Sequence, residues 1–76
     1  MKVKLPGVRK ITITDEYITL QQLLKLAGIA STGGEAKIMI LDGQAHVNGE
    51  CVLQRGKKLR PGDVVRCLGA VLVVSA

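Results

Sequence analysis

One spacing restricts this chain more than any other feature: a threonine followed three positions later by glutamine or glutamate, at Thr19–Gln22 and again at Thr32–Glu35. In such a pair the hydroxyl accepts from an orphaned N–H of a new helix, and the second side chain reaches back to the first residue's N–H. Each pair therefore marks a helix start. The first helix is expected from Thr19 to about Ala27, with Leu20, Leu23, Leu24 and Ala27 in one apolar stripe and Gly28 as its left-handed stop. Gln21, Gln22 and Lys25 face away from that stripe. The second helix runs from the Thr32 cap to a stop at Gly43, burying Ala36, Met39 and Ile40, with Ile38 and Leu41 widening the buried side. Only residues 28–31 lie between the two, a link short enough to force a packed helix hairpin.

The segments on either side read as strands. Residues 1–5 alternate Lys2 and Lys4 with Val3 and Leu5, and Pro6–Gly7 is a turn signal. Residues 8–14 alternate again and are rich in β-branched side chains. After Gly43, Ala45 to Val47 meets Cys51 to Leu53 across Asn48–Gly49, a pair that tolerates the positive φ of a tight hairpin. Residues 54–60 form a loop, Pro61–Gly62–Asp63 a turn, and residues 64–68 a strand with Arg66 toward water and Val65 and Cys67 inward. Gly69–Ala70 turns the chain into a last strand over residues 71–74. The 76 residues thus make one α+β domain, an antiparallel helix hairpin on a small, mostly antiparallel sheet.

Composition narrows the chemistry. Tyr17 is the only aromatic residue, so the core is aliphatic and no sheet surface offers an aromatic platform for stacking bases. Eleven Lys and Arg against six Asp and Glu give a net charge of +5, which favours a polyanionic partner, nucleic acid or an acidic membrane face. No run approaches the roughly 20 apolar residues of a membrane span, and Lys2, Lys4 and Pro6 interrupt any signal-peptide core, so a cytoplasmic, reduced setting is expected. Cys51 and Cys67 lack metal-ligand spacing and read as small hydrophobes in strands. No nucleophile, base and orienter come together in the sequence, so neither catalysis nor a metal, cofactor or small-molecule substrate is expected.

What remains is an anion site. Gly33 and Gly34 place no side chain over the free N–H groups at the start of the second helix, the helix dipole adds positive charge, and Lys37 stands one turn on. Four cations, Arg55, Lys57, Lys58 and Arg60, fall in one acid-free segment. If that loop lies beside the second helix start, with Lys25 and Lys37, the cations and amides form one concave patch suited to phosphates. His46, on the strand before the tight turn, is a further candidate for a phosphate or base contact.

The ordered set of these residues resembles the RNA-binding domain named after small-subunit ribosomal protein S-four. The likeness spans residues 18–65, flanked by the N- and C-terminal strands. It is carried by the leucines of the first helix, Thr32 to Ile40 with Glu35–Ala36–Lys37, Asp42–Gly43, Val47–Asn48–Gly49 and Pro61–Gly62–Asp63–Val64. Chain length and the Gly33–Gly34–Glu35–Ala36–Lys37 run look like the small stand-alone bacterial members. The resemblance implies a helix hairpin on a sheet (the alpha-L motif) and binding of structured RNA, ribosomal RNA foremost, by a monomer. By position it points to Thr32, Gly33, Gly34 and Lys37, with Lys25 and Asn48 nearby. Many members carry arginine at the position of Gly33, and arginine and aspartate at those of Thr19 and Gln21; losing those side chains implies either a modest affinity or contacts shifted onto the 55–60 loop. The competing reading is a ubiquitin-like docking module without catalysis, similarly small and with a late Pro–Gly–Asp turn. The chain's Val73–Val74–Ser75–Ala76 end lacks the Gly–Gly tail of such carriers.

Overall fold

Thr19 and Thr32 do cap two helices, and the rest of the architecture is built around them. The computed structural model describes residues 8–76, so the strand expected at residues 1–5 and the Pro6–Gly7 turn lie outside the described residues. In chain order the elements are β1 (Val8–Thr12), β2 (Ile18–Thr19), α1 (Leu20–Leu26), α2 (Gly33–Leu41), β3 (Ala45–Val47), β4 (Glu50–Cys51), β5 (Lys58–Leu59), β6 (Val64–Cys67) and β7 (Ala70–Ser75).

At α1 the capping box is complete: Gln22 N donates to Thr19 Oγ1 at 3.2 Å and Thr19 N donates to Gln22 Oε1 at 3.1 Å. At α2 half of it forms. Glu35 N donates to Thr32 Oγ1 at 3.1 Å, while among the described residues the Glu35 carboxylate accepts no return bond. Thr32 enters its helix more extended than Thr19 does (φ −136° against −80°).

The α1 stripe of Leu20, Leu23, Leu24 and Ala27 is buried as its spacing requires. In α2 the buried seam is narrower than expected. Ala36 and Ile40 are buried and Met39 packs against them, but Ile38 and Leu41 are 69% and 59% exposed. At 3.6 residues per turn those two lie on roughly the opposite side from Ala36 and Ile40, and among the described residues no strand covers them. Gly28 takes φ +76° after α1, and Ile29 N and Ala30 N both donate to Leu24 O, folding the link back along α1.

The main sheet has the order β1-β7-β6-β3-β4, antiparallel except for the parallel β1–β7 pair. Its inner face supplies Ala45, Val47, Val65, Cys67, Leu72 and Val74 to an all-aliphatic core shared with both helices. The fold is thus the expected one: two helices packed on a mostly antiparallel sheet. A second, two-stranded sheet was not foreseen. β2 pairs antiparallel with β5, in a segment read as loop, and Leu59 of β5 is fully buried. Its single apolar side chain among cations has no strand periodicity to betray it, so only the tertiary partner reveals the strand. Cys51 also departs from expectation: β4 is an edge strand and leaves it exposed, whereas Cys67 is buried.

Asn48 and Gly49 take φ +51° and +86°, the two positive values of a tight hairpin. The β6–β7 turn sits one residue earlier than expected, at Leu68–Gly69, because Cys67 pairs with Ala70. The same turn geometry therefore falls on Leu68, at φ +50°. A left-handed leucine costs roughly 1–2 kcal/mol. Leu68→Asn is expected to stabilise the protein by about 1 kcal/mol, read as a raised chemical-denaturation midpoint at unchanged m-value.

Candidate nucleic-acid interface

The start of α2 leaves backbone donors open. Thr32 Oγ1 takes the Glu35 N–H and Thr32 O takes that of Ala36, while among the described residues nothing accepts from the N–H of Gly33 or Gly34. The expectation that no side chain stands there needs one correction. Gln21 Nε2 donates to Gly33 O at 2.9 Å, and a Cβ at Gly33 would lie 2.8 Å from that same nitrogen. Glycine is thus what lets the Gln21 amide lie across the first turn. At Gly34 an added Cβ would meet only Thr32 Oγ1, at 3.9 Å. The position of Gln21 beside the leucine stripe predicts a solvent-facing helix residue. Its partner becomes visible only when α2 folds back beside the first turn of α1.

Gln21 also ties in the cationic loop. Its backbone N–H donates to Arg55 O at 3.1 Å, and Leu20 N donates to Lys57 O at 2.9 Å, so the loop carbonyls satisfy the first donors of α1. The loop, the α1 start and the α2 start are therefore linked through one residue. Beyond the loop a hollow of about 320 Å³ gathers Asn48, Lys57, Lys58 and Arg60. Glu50 and Asp63 line it too, so the segment that is free of acid in sequence is not free of it in space. Asp63 is occupied: its carboxylate accepts from Arg60 N at 2.8 Å and from Asn48 Nδ2 at 3.1 Å. Asn48 Oδ1 accepts from Val64 N at 3.0 Å, which anchors the hairpin tip to β6. The Lys57, Lys58 and Arg60 side chains belong to exposed residues.

The other three candidates lie outside the loop hollow. Lys37 is exposed on α2, one turn beyond Gly33 and on its face. Lys25 lines a different hollow, of about 590 Å³, between α1 and the segment joining β1 to β2. His46 lies on the sheet with Arg66 and Cys51 as its cross-strand partners, in a groove shared with Arg66 and Val71 rather than in the loop hollow. Tyr17 lines the same hollow as Lys25, and Lys58 Nζ lies 4.8 Å from its ring centroid. Among the described residues no group of His, Cys, Asp and Glu could hold a metal ion, and no helix is long and apolar enough to cross a membrane.

Burial pushes the Cys67 thiol above its ordinary pKa, because the thiolate would be desolvated. Since the unfolded chain ionises this group first, its contribution to stability is intact below the ordinary thiol range and is lost as pH rises through the folded value. In native protein a thiol reagent is expected to modify Cys51 rapidly and Cys67 only on unfolding, read by mass spectrometry after timed quenching.

The S4 domain family model matches residues 11–75 of this chain. A protein of Bacillus subtilis (strain 168) named "Probable ribosome maturation protein RlbA" is 46% identical over 59 residues, which cover 78% of this chain and 83% of that one. The solution structure of YbcJ from E. coli, described as revealing an alpha-L motif involved in RNA binding, superimposes with a TM-score of 0.73 at 28% identity, covering 100% of this chain and 98% of that one. The 30S ribosomal protein S4e of Thermoplasma acidophilum shares the fold at TM-score 0.58 and 22% identity, over 76% of this chain and 31% of its own.

Proposed function

The chain belongs to the S4 domain family, and from that premise we propose that it binds structured RNA, ribosomal RNA foremost, as a non-catalytic cytoplasmic monomer. One observation carries the placement of the site: the open N–H groups of Gly33 and Gly34 connect through Gln21 to the loop that bears Arg55, Lys57, Lys58 and Arg60. Phosphates would lie on the α2 start, where dipole and amides both favour an anion, and continue onto the loop cations. Lys37 extends the patch along α2, and Asn48 positions the hairpin tip at its edge. The relation to a ribosome maturation protein supports ribosomal RNA as the class of target. Contacts of this type read shape and backbone charge, so discrimination rests on RNA architecture more than on base sequence.

The test is a salt titration with ribosomal RNA fragments followed by fluorescence anisotropy. The logarithm of affinity should fall linearly with the logarithm of salt, by roughly 0.7–0.9 per phosphate contacted. A flat line would remove the polyanion reading and leave protein docking. Gly33→Asp gives a sharper local test. The new carboxylate sits where an acid suits the helix dipole, and only the flexible end of Gln21 must move, so stability should stay within about 1 kcal/mol of the parent. Affinity should fall by roughly tenfold, because a negative charge now occupies the anion position. Loss of folded protein by circular dichroism would make Gly33 a structural residue instead.

A further inference from the structure

The hollow between α1 and the β1–β2 connection has no part in the patch just described. Its walls include Thr12, Tyr17, Gln22, Lys25 and Leu26 together with one acid, Asp15, and its volume is about 590 Å³, ample for one nucleoside. Tyr17 is 39% exposed there, and Leu26, at 61% exposed, adds an unpartnered apolar surface on the helix side. Lys58 sits over the ring of Tyr17 but does not line this hollow, so the cation takes one ring face and the hollow adjoins the rest of the side chain. Lys58 at the same time lines the hollow of Lys57 and Arg60. The aromatic ring thus stands at the border between a phosphate-binding surface and a cleft of nucleoside size.

Resting on the RNA-binding reading, we infer that this cleft takes one unpaired nucleotide, its base stacked on Tyr17 while the backbone passes over Lys58 and Lys57. The polar groups fit a base edge. Gln22 commits its carboxamide oxygen to the Thr19 N–H, so its NH₂ group is free to donate into the cleft, and the hydroxyl of Thr12 can donate or accept. Lys25 supplies a cation for the phosphate on the far side of the base. A lone tyrosine cannot make the multi-base platform of sheet-surface binders. It can hold a single extruded base, since every base offers a π-face.

Tyr17 is the only tyrosine in a chain without tryptophan, so its emission reports on the cleft directly. The probes are two short hairpin RNAs, one fully paired and one with a single bulged adenosine, titrated into the full chain. The bulged hairpin is expected to bind roughly tenfold tighter, the scale of one base–aromatic stack, and to quench the tyrosine. Tyr17→Ala should abolish that preference, so that the two hairpins bind equally, and Tyr17→Phe should keep it. Equal affinities with unaltered emission would overturn the cleft and leave RNA binding standing. Binding of neither hairpin, nor of ribosomal RNA fragments, would overturn both. A thermal melt of each variant separates loss of the stack from loss of the fold.

Discussion

Leu24→Ala is expected to destabilise the protein by about 3 kcal/mol, within the roughly 2–5 kcal/mol range for emptying a fully packed leucine site. Leu24 is fully buried at the centre of the helix–sheet core, and its carbonyl accepts both Ile29 N and Ala30 N where the link folds back toward α2. The cavity would open beside the seam that holds α2 in place. With no aromatic side chain in the core, the surrounding aliphatic groups have few large atoms to swing into the space. A domain of this size has a stability on the order of 5 kcal/mol, so the loss takes most of it. Each kcal/mol shifts the melting temperature of so small a domain by roughly 4–8 °C, so calorimetry should find a fall of roughly 12–24 °C. A fall of a degree or two would show that α2 collapses onto the vacated site and that the helix packing is looser than its burial indicates.

The second large effect concerns binding. Lys57→Ala with Lys58→Ala and Arg60→Ala should weaken RNA binding by roughly a hundredfold at low salt and reduce the slope of log affinity against log salt by roughly two to three. The three side chains share one hollow and are exposed, so removing them leaves the buried Leu59 and the β2–β5 pairing in place. Arg60 caps the Asp63 carboxylate through its backbone N–H, which alanine retains. Truncating Lys58 also removes its contact with the Tyr17 ring, so stability should fall by about 1 kcal/mol at most. If affinity falls and the slope does not, the loop acts by shape rather than by phosphate contact. If neither changes, the RNA lies on the α2 start and Lys37 alone.

The α1 capping box, its leucine stripe, the Asn48–Gly49 hairpin and the inward Val65 and Cys67 are all local patterns, and all hold. The α2 face failed in part because Ile38 and Leu41 are apolar whichever way they point, and hydrophobicity alone does not say how far a sheet extends. β5 was missed because a two-residue strand carries no period. The loop cluster was found as a run of charge, yet the acids that line its hollow, Glu50 and Asp63, come from either side in the chain.

Local pattern alone settles where the helices begin and end, which stripe of α1 is buried and where the tight turn falls, and net charge favours a polyanionic partner. These follow from interactions within a few residues and from net charge, neither of which needs the fold to be known. Tertiary structure alone decided that Gln21 bridges the α2 start and the cationic loop, that Lys25 and His46 stand away from that loop, and that the sole aromatic ring borders a cleft of nucleoside size. Each of those depends on segments far apart in the chain meeting in space, and which side chains meet is set by how the whole core packs.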